Sequence, residues 1–134
     1  MSAGLALQAA LLARLGGEPA LVALVGGRIF DRVPPGAAFP HVALGPAAIY
    51  DCSTGTERGW EHLFTINVWQ RALGRRSTYE IMAAIEAALA PARLDLRQYR
   101  LVTLDLQQLQ ARAEDGRDGY GGTMRYRAVT EDGA

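Results

Sequence analysis

Nucleophilic chemistry in this chain would have to be carried by Cys52 together with His41 or His62. A thiol needs an imidazole within reach to take its proton, so the chain offers no other cysteine pairing. Each histidine also has a simpler role. His41 follows Pro40 at the start of an extended segment, and His62 opens an alternating one. Isolated Cys and His side chains more often serve packing or surface roles, so no catalytic residue is assigned. A structural zinc would want about four ligands, and Cys52, His41, His62 and Asp51 include no C-x-x-C or H-x-x-x-H pair. Gly119-Tyr120-Gly121-Gly122 precedes no helix and no Gly-Lys-Ser/Thr follows it, so a phosphate cradle is unsupported. These glycines read as the exit from a turn or a bulge. Neither metal nor cofactor is expected.

Arg71-Ala72-Leu73-Gly74-Arg75-Arg76 is the basic cluster of the chain. It stands just before an expected helix, where the backbone dipole favours negative charge. That mismatch suggests arginines held for a partner's carboxylates or a phosphate, the alternative being a solvated turn. Trp60 and Trp69 are nine residues apart, so an unbroken strand sets them on opposite faces. Trp69 then falls on the less apolar face, either at a protein contact or under a covering element.

The elements that must position these residues fit one domain. A chain of 134 residues with 49% apolar and 21% charged residues can bury one core. Its 14 arginines balance 14 acids and it has no lysine, so no net field draws it to nucleic acid or an anionic membrane. A single cysteine gives no disulfide framework, which suits a cytosolic origin. Ala6 to Leu15 lacks the basic flank of a signal peptide, and no run reaches the roughly 20 apolar residues of a membrane span.

Leu5, Leu7, Leu11, Leu12 and Leu15 form a helical stripe that Ser2 caps and Gly16-Gly17 ends. Glu18 to Val25 suits a short second helix before Gly26-Gly27. Arg28 to Val33 reads as a strand halted by Pro34-Pro35-Gly36, and Phe39-Pro40 restarts an extended segment that runs from His41 to Ile49. Asp51 to Gly59 is a polar loop. From Trp60 to Arg71, Phe64, Ile66 and Val68 share a buried face. Ser77-Thr78-Tyr79-Glu80 matches a capping box, predicting a helix with Ile81, Met82, Ile85, Ala88 and Leu89 on one side and Pro91 at its end. Val102, Leu104 and Leu106 alternate in one strand of a closing hairpin, with Met124, Tyr126 and Ala128 in the other and Asp105 facing an arginine. Ala113 to Gly119, with its Asp-Gly pairs, is the turn. The fold class is α+β, with a mostly antiparallel sheet and the N-terminal and second amphipathic helices packed on one side.

Several of these segments together resemble one family. They are the leucine-rich first helix, Ala23 to Asp31, Pro34-Pro35-Gly36-Ala37-Ala38-Phe39-Pro40, Leu44-Gly45, Phe64-Thr65-Ile66-Asn67-Val68-Trp69, and Met124 to Ala128. The family is the tail completion, or tail terminator, family of long-tailed phages, prophages and gene transfer agents. The resemblance covers nearly the whole chain. It implies a structural subunit without catalysis or cofactor, forming a ring, typically a hexamer, on the head-proximal end of the tail tube. Such a ring stops tube growth and joins the tail to a head-side stopper or connector, in a virion or phage-like particle assembled in the bacterial cytoplasm. DNA passes through it without sequence-specific binding. A head-side adaptor or stopper of the neck, and a small enzyme or ligand-binding domain, are the competing readings.

The family offers no motif to carry over residue by residue, so contact surfaces rest on physical grounds. Trp69, Arg71, Arg75, Arg76, Arg58, Pro34, Pro35 and Phe39 are candidates for an assembly interface. Asp51, Glu57, Glu114, Asp115 and Asp118, on long polar loops, are candidates for a channel lining. Carboxylates there would repel passing DNA, where arginines would hold it. A free sheet edge near Val33 to Val42 could pair across a subunit boundary.

Overall fold

A computed structural model describes residues 2–71, 74–90, 94–113 and 119–133. The N-terminal helix α1 spans Ala3–Gly16, and the Ser2 hydroxyl accepts from the Leu5 amide at 3.1 Å as its cap. Ala3, Ala6, Leu7, Ala10, Leu11 and Leu15 are its buried face, while Leu5 is exposed, so the inward stripe uses alanines beside the larger leucines. The short α2, Pro19–Val25, ends on Gly26 in the left-handed region at φ 61°.

The expected strand over Arg28 to Val33 shrinks to β1, Ile29–Phe30. It pairs in parallel with the start of β2, His41–Asp51, through Ile29 opposite Val42 and Phe30 opposite Ala43. Between them the chain turns at Pro34 to Ala37, where the Ala37 amide donates to the Pro34 carbonyl at 3.2 Å and Gly36 takes φ 73°. The Phe39-Pro40 peptide bond is cis. The remaining strands are β3, Gly59–Arg71, β4, Tyr99–Ala113, and β5, Gly119–Asp132. The sheet runs β1-β2-β3-β5-β4, antiparallel apart from β1. The α+β class holds.

Among the described residues, the three helices pack on one face. Phe64, Ile66 and Val68 of β3, Met124, Tyr126 and Ala128 of β5, and Leu104 of β4 join Leu11, Leu21, Ile81 and Ile85 in one core. The alternation that buries Phe64, Ile66 and Val68 also buries His62 and Gln70. The opposite face carries Glu61, Leu63, Thr65, Asn67 and Trp69, which register with Val129, Arg127, Arg125, Thr123 and Gly121 of β5.

The capping box does not form. Helix α3 begins at Arg75 and runs to Ala88, with Gly74 as its N-cap at φ 76° and ψ −175° and no side-chain cap. That backbone is open to glycine, so the chain turns into the helix before Ser77. Gln70 of β3 instead ties down the start, its Nε2 donating to the Gly74 carbonyl at 2.7 Å and the Thr78 hydroxyl at 3.2 Å. Leu89 caps the other end, and Pro91 lies outside the described residues.

In the hairpin, Leu104 and Leu106 keep their expected face. Val102 does not: the register against β5 slips between Leu101 and Thr103, and Val102 is exposed. A second slip lies between Leu106 and Gln108. Asp105 does stand opposite Arg127, but the Arg127 guanidinium pairs with Glu61 at 2.6 Å, across the other neighbouring strand. Gly119 to Gly122 pair in unbroken register with β3, so they are strand and not bulge. A Cβ at Gly122 would meet Thr78 Cγ2 at 2.8 Å and Met82 Sδ at 2.9 Å, which shows how closely α3 lies on β5.

Candidate functional site

The candidate residues divide between opposite ends of the sheet. Asp51, Glu57 and Arg58 belong to the end where β2 turns into β3, with Asp51 opposite Trp60. Trp69, Arg71, Phe39, Arg75 and Arg76 belong to the other end, where His41 faces Trp69 and α3 starts. The strand between them spans Gly59–Arg71, roughly 40 Å at the usual rise per residue. The two groups cannot meet within one subunit. Glu114, Asp115 and Asp118 lie outside the described residues; the strands they join end at Ala113 and begin at Gly119, opposite Arg71.

At the Arg71 end, aromatic rings support guanidinium groups. Arg71 lies over Phe39 at 4.6 Å from the ring centre, and Arg112 over Trp69 at 6.0 Å. Phe39 in turn packs against His41 at 4.9 Å, and the Ala38 carbonyl holds His41 Nδ1 at 3.0 Å. Trp69 is therefore half-covered by an arginine, neither free nor under a helix. Arg76 pairs with Glu80 at 3.0 Å, both well exposed, and Arg75 is exposed. A shallow depression beside Arg71 is lined by Val33, Pro34, Ala37, Phe39 and His41; Pro35 is exposed on the same turn.

The Asp51 end is a tied loop. The Asp51 carboxylate accepts from the Ser53 amide at 2.8 Å, and hydrogen bonding from the Ser53 side chain first, and from this amide second, holds its pKa below the ordinary carboxylate value. The Thr54 hydroxyl accepts from the Glu57 amide at 3.1 Å, and Ser53 from the Gly59 amide at 3.1 Å. Arg58 lies over Trp60 at 5.3 Å, and Trp60 meets Tyr99 edge-on at 5.6 Å. Arg100 and Glu131 form an ion pair nearby.

Cys52 and His41 are held apart at opposite ends of the sheet. Cys52 is exposed at one end, and His41 is buried at the other. His62 is 1% exposed, with Nε2 bonded to the Thr130 hydroxyl at 2.9 Å, and burial pushes its pKa down. Tyr126 stacks on Phe64 at 5.5 Å, and burial raises its pKa. Among the described residues no three His, Cys, Asp or Glu side chains gather as metal ligands.

Sequence reasoning placed the free sheet edge near Val33 to Val42, where β1 in fact pairs with Val42, and missed the exposed margins farther along β2 and on β4. Ile49 and Tyr50 on β2, and Val102 and Leu109 on β4, are large apolar side chains left exposed. Beside Ile49 a cleft of about 190 Å³ opens between α1 and β2, lined by Leu7, Leu11, Leu44, Ala47 and Phe64 among others. Strand order puts β4 at one edge, and the shortness of β1 leaves most of β2 uncovered at the other; no motif reports either.

The fold defines an α+β domain with its helices on one face of a five-stranded sheet. The chain belongs to the family described as tail completion protein gp17, which it matches over residues 9–131. It is similar to a chain in the virion of a native gene transfer agent particle, with 36% identity and a TM-score of 0.88, covering 97% of this chain and 98% of that one. It shares its fold with the gp17 protein of bacteriophage SPP1, at 18% identity and a TM-score of 0.62, over 94% of this chain and 89% of that one. No curated protein sequence matches it.

Proposed function

We propose that this protein is a tail terminator: a ring, typically of six copies, that seats on the head-proximal end of a tail tube, stops its growth and offers its other side to the head-side connector. The observation that carries this reading is membership of the tail completion family over almost the full chain, joined to 36% identity with a chain of a gene transfer agent particle. The two-ended shape suits the task. An arginine-rich end at Arg71, Arg75 and Arg76 and a tied loop at Asp51 to Gly59 supply different surfaces for two different partners. DNA passes through the ring without sequence-specific contacts.

Deleting the gene tests the proposal by tail length in electron micrographs. A terminator's loss gives overlong or unjoined tails. Tails of normal length beside leaking heads would assign the protein to the head side of the neck and overturn the reading.

A further inference from the structure

The two margins of the sheet differ from most strand edges in what they lack. Natural edges carry charges, lysine above all, that discourage pairing with another chain. Leu44 to Tyr50 of β2 has no charged residue, and Leu101 to Ala111 of β4 has Asp105 alone. Short β1 covers β2 at Val42 and Ala43 only, so among the described residues the stretch from Leu44 to Asp51 has strand β3 on one side and no strand on the other. Among the described residues, strand β4 is likewise ladder-paired on one side only, with β5.

The margins also match each other. Strands β2 and β3, β3 and β5, and β5 and β4 are each antiparallel, so β4 runs opposite to β2. A rotation about an axis along the strands preserves those directions. It therefore brings β4 of one copy beside β2 of the next in antiparallel fashion. The level matches too. Leu109 stands opposite Met124, Met124 opposite Ile66, and Ile66 opposite Leu44. Leu109 thus lies on the helix-covered face at the height of Leu44, and it is 41% exposed. On that face, beside β2, lies the mostly apolar cleft lined by Leu7, Leu11, Leu44, Ala47, Ile49 and Phe64, with Gln8 and Asp31 also on its wall. Gly4 of α1 leaves room for Ile49 there: a Cβ would approach Ile49 Cδ1 to 2.6 Å.

We propose that a second copy of this chain occupies this margin, its β4 pairing with β2 from Ala47 to Asp51 and its Leu109 entering the cleft beside Ile49. The proposal rests on the ring reading above and assigns its subunit contact. The irregularity between Leu44 and Ala47, with Pro46 inside it, sets the upper limit of the pairing, and β1 blocks the strand beyond. Because the two margins are different surfaces, each contact leaves one of each kind open. Such head-to-tail contacts build rings when the rotation closes.

Cysteine cross-linking in the full chain tests this, with Cys52→Ser as background. Ala48→Cys is combined in turn with Thr103→Cys, Asp105→Cys or Gln108→Cys, all on the open face. One combination should give a ladder of covalent multimers under mild oxidation. Leu109→Arg should raise the concentration needed for assembly at least ~10-fold, as expected for a central apolar anchor. Rings from the parent protein with no ladder in any combination, or dimers from Asp105→Cys alone, would overturn the interface and leave the ring reading standing. A chain that stays monomeric with and without tail tubes would overturn both.

Discussion

At Gly122 a single added carbon would meet α3 below 3 Å, whereas at Ile49 and Leu109 almost half of each side chain faces solvent. The middle of the sheet and its margins thus differ in kind. In the middle, β3 and β5 pair without a slip from Gly59 opposite Glu131 to Arg71 opposite Gly119. At the margins, β2 and β4 each carry register shifts, uncharged stretches and exposed apolar residues. The lesson is one of division: the centre supplies the folding energy, and the margins are the surfaces proposed above to meet a second copy.

The strongest way to break this contrast is in the centre. Ile66→Ala removes a side chain with no exposed surface and should cost about 2–5 kcal/mol in urea unfolding. A loss below 1 kcal/mol would mean that the centre is looser than its geometry. Gly122→Ala should cost about 1–3 kcal/mol, because Thr78 and Met82 must move aside. An unchanged midpoint would show that α3 shifts freely over β5.

His62 provides a pH dependence. Its folded pKa is depressed by burial, so the unfolded chain takes up a proton that the folded one resists. Stability is therefore insensitive to His62 above the ordinary value of about 6.5 and falls as pH drops below it, by at most about 1.4 kcal/mol per unit. His62→Gln, which can still bond Thr130, should flatten that slope between pH 7.5 and pH 5. Equal slopes in the two proteins would remove the effect. The smallest change is expected at the margin: Leu109→Arg should leave monomer stability within about 0.5 kcal/mol while weakening assembly. A large destabilisation would place Leu109 in the folding core.

Much of the centre was legible in the chain. The alternation of Phe64, Ile66 and Val68 reports a half-buried strand, and Ser2 with Gly17 brackets the first helix, because these signals are local. The capping box over Ser77 misleads because Gly74 offers a backbone that starts the helix earlier, with Gln70 from another element holding it. Val102 misleads because one slipped residue turns it outward, and such slips leave little trace in an alternating pattern. The candidate site was less legible. Arg71, Arg75 and Arg76 are neighbours in the chain and stay together, but Arg58 and Asp51 lie at the far end of the sheet. The pairing margins depend on strand order and on how little of β2 the parallel β1 covers, neither of which is a local property.

The proposed function requires this chain to close into a ring on the end of a tail tube. Purified protein added to growing tail tubes and imaged by electron microscopy tests it most directly. One ring at a single end of each tube, with tubes that no longer lengthen, is the predicted result. Tubes that grow on with no added density at either end would contradict it.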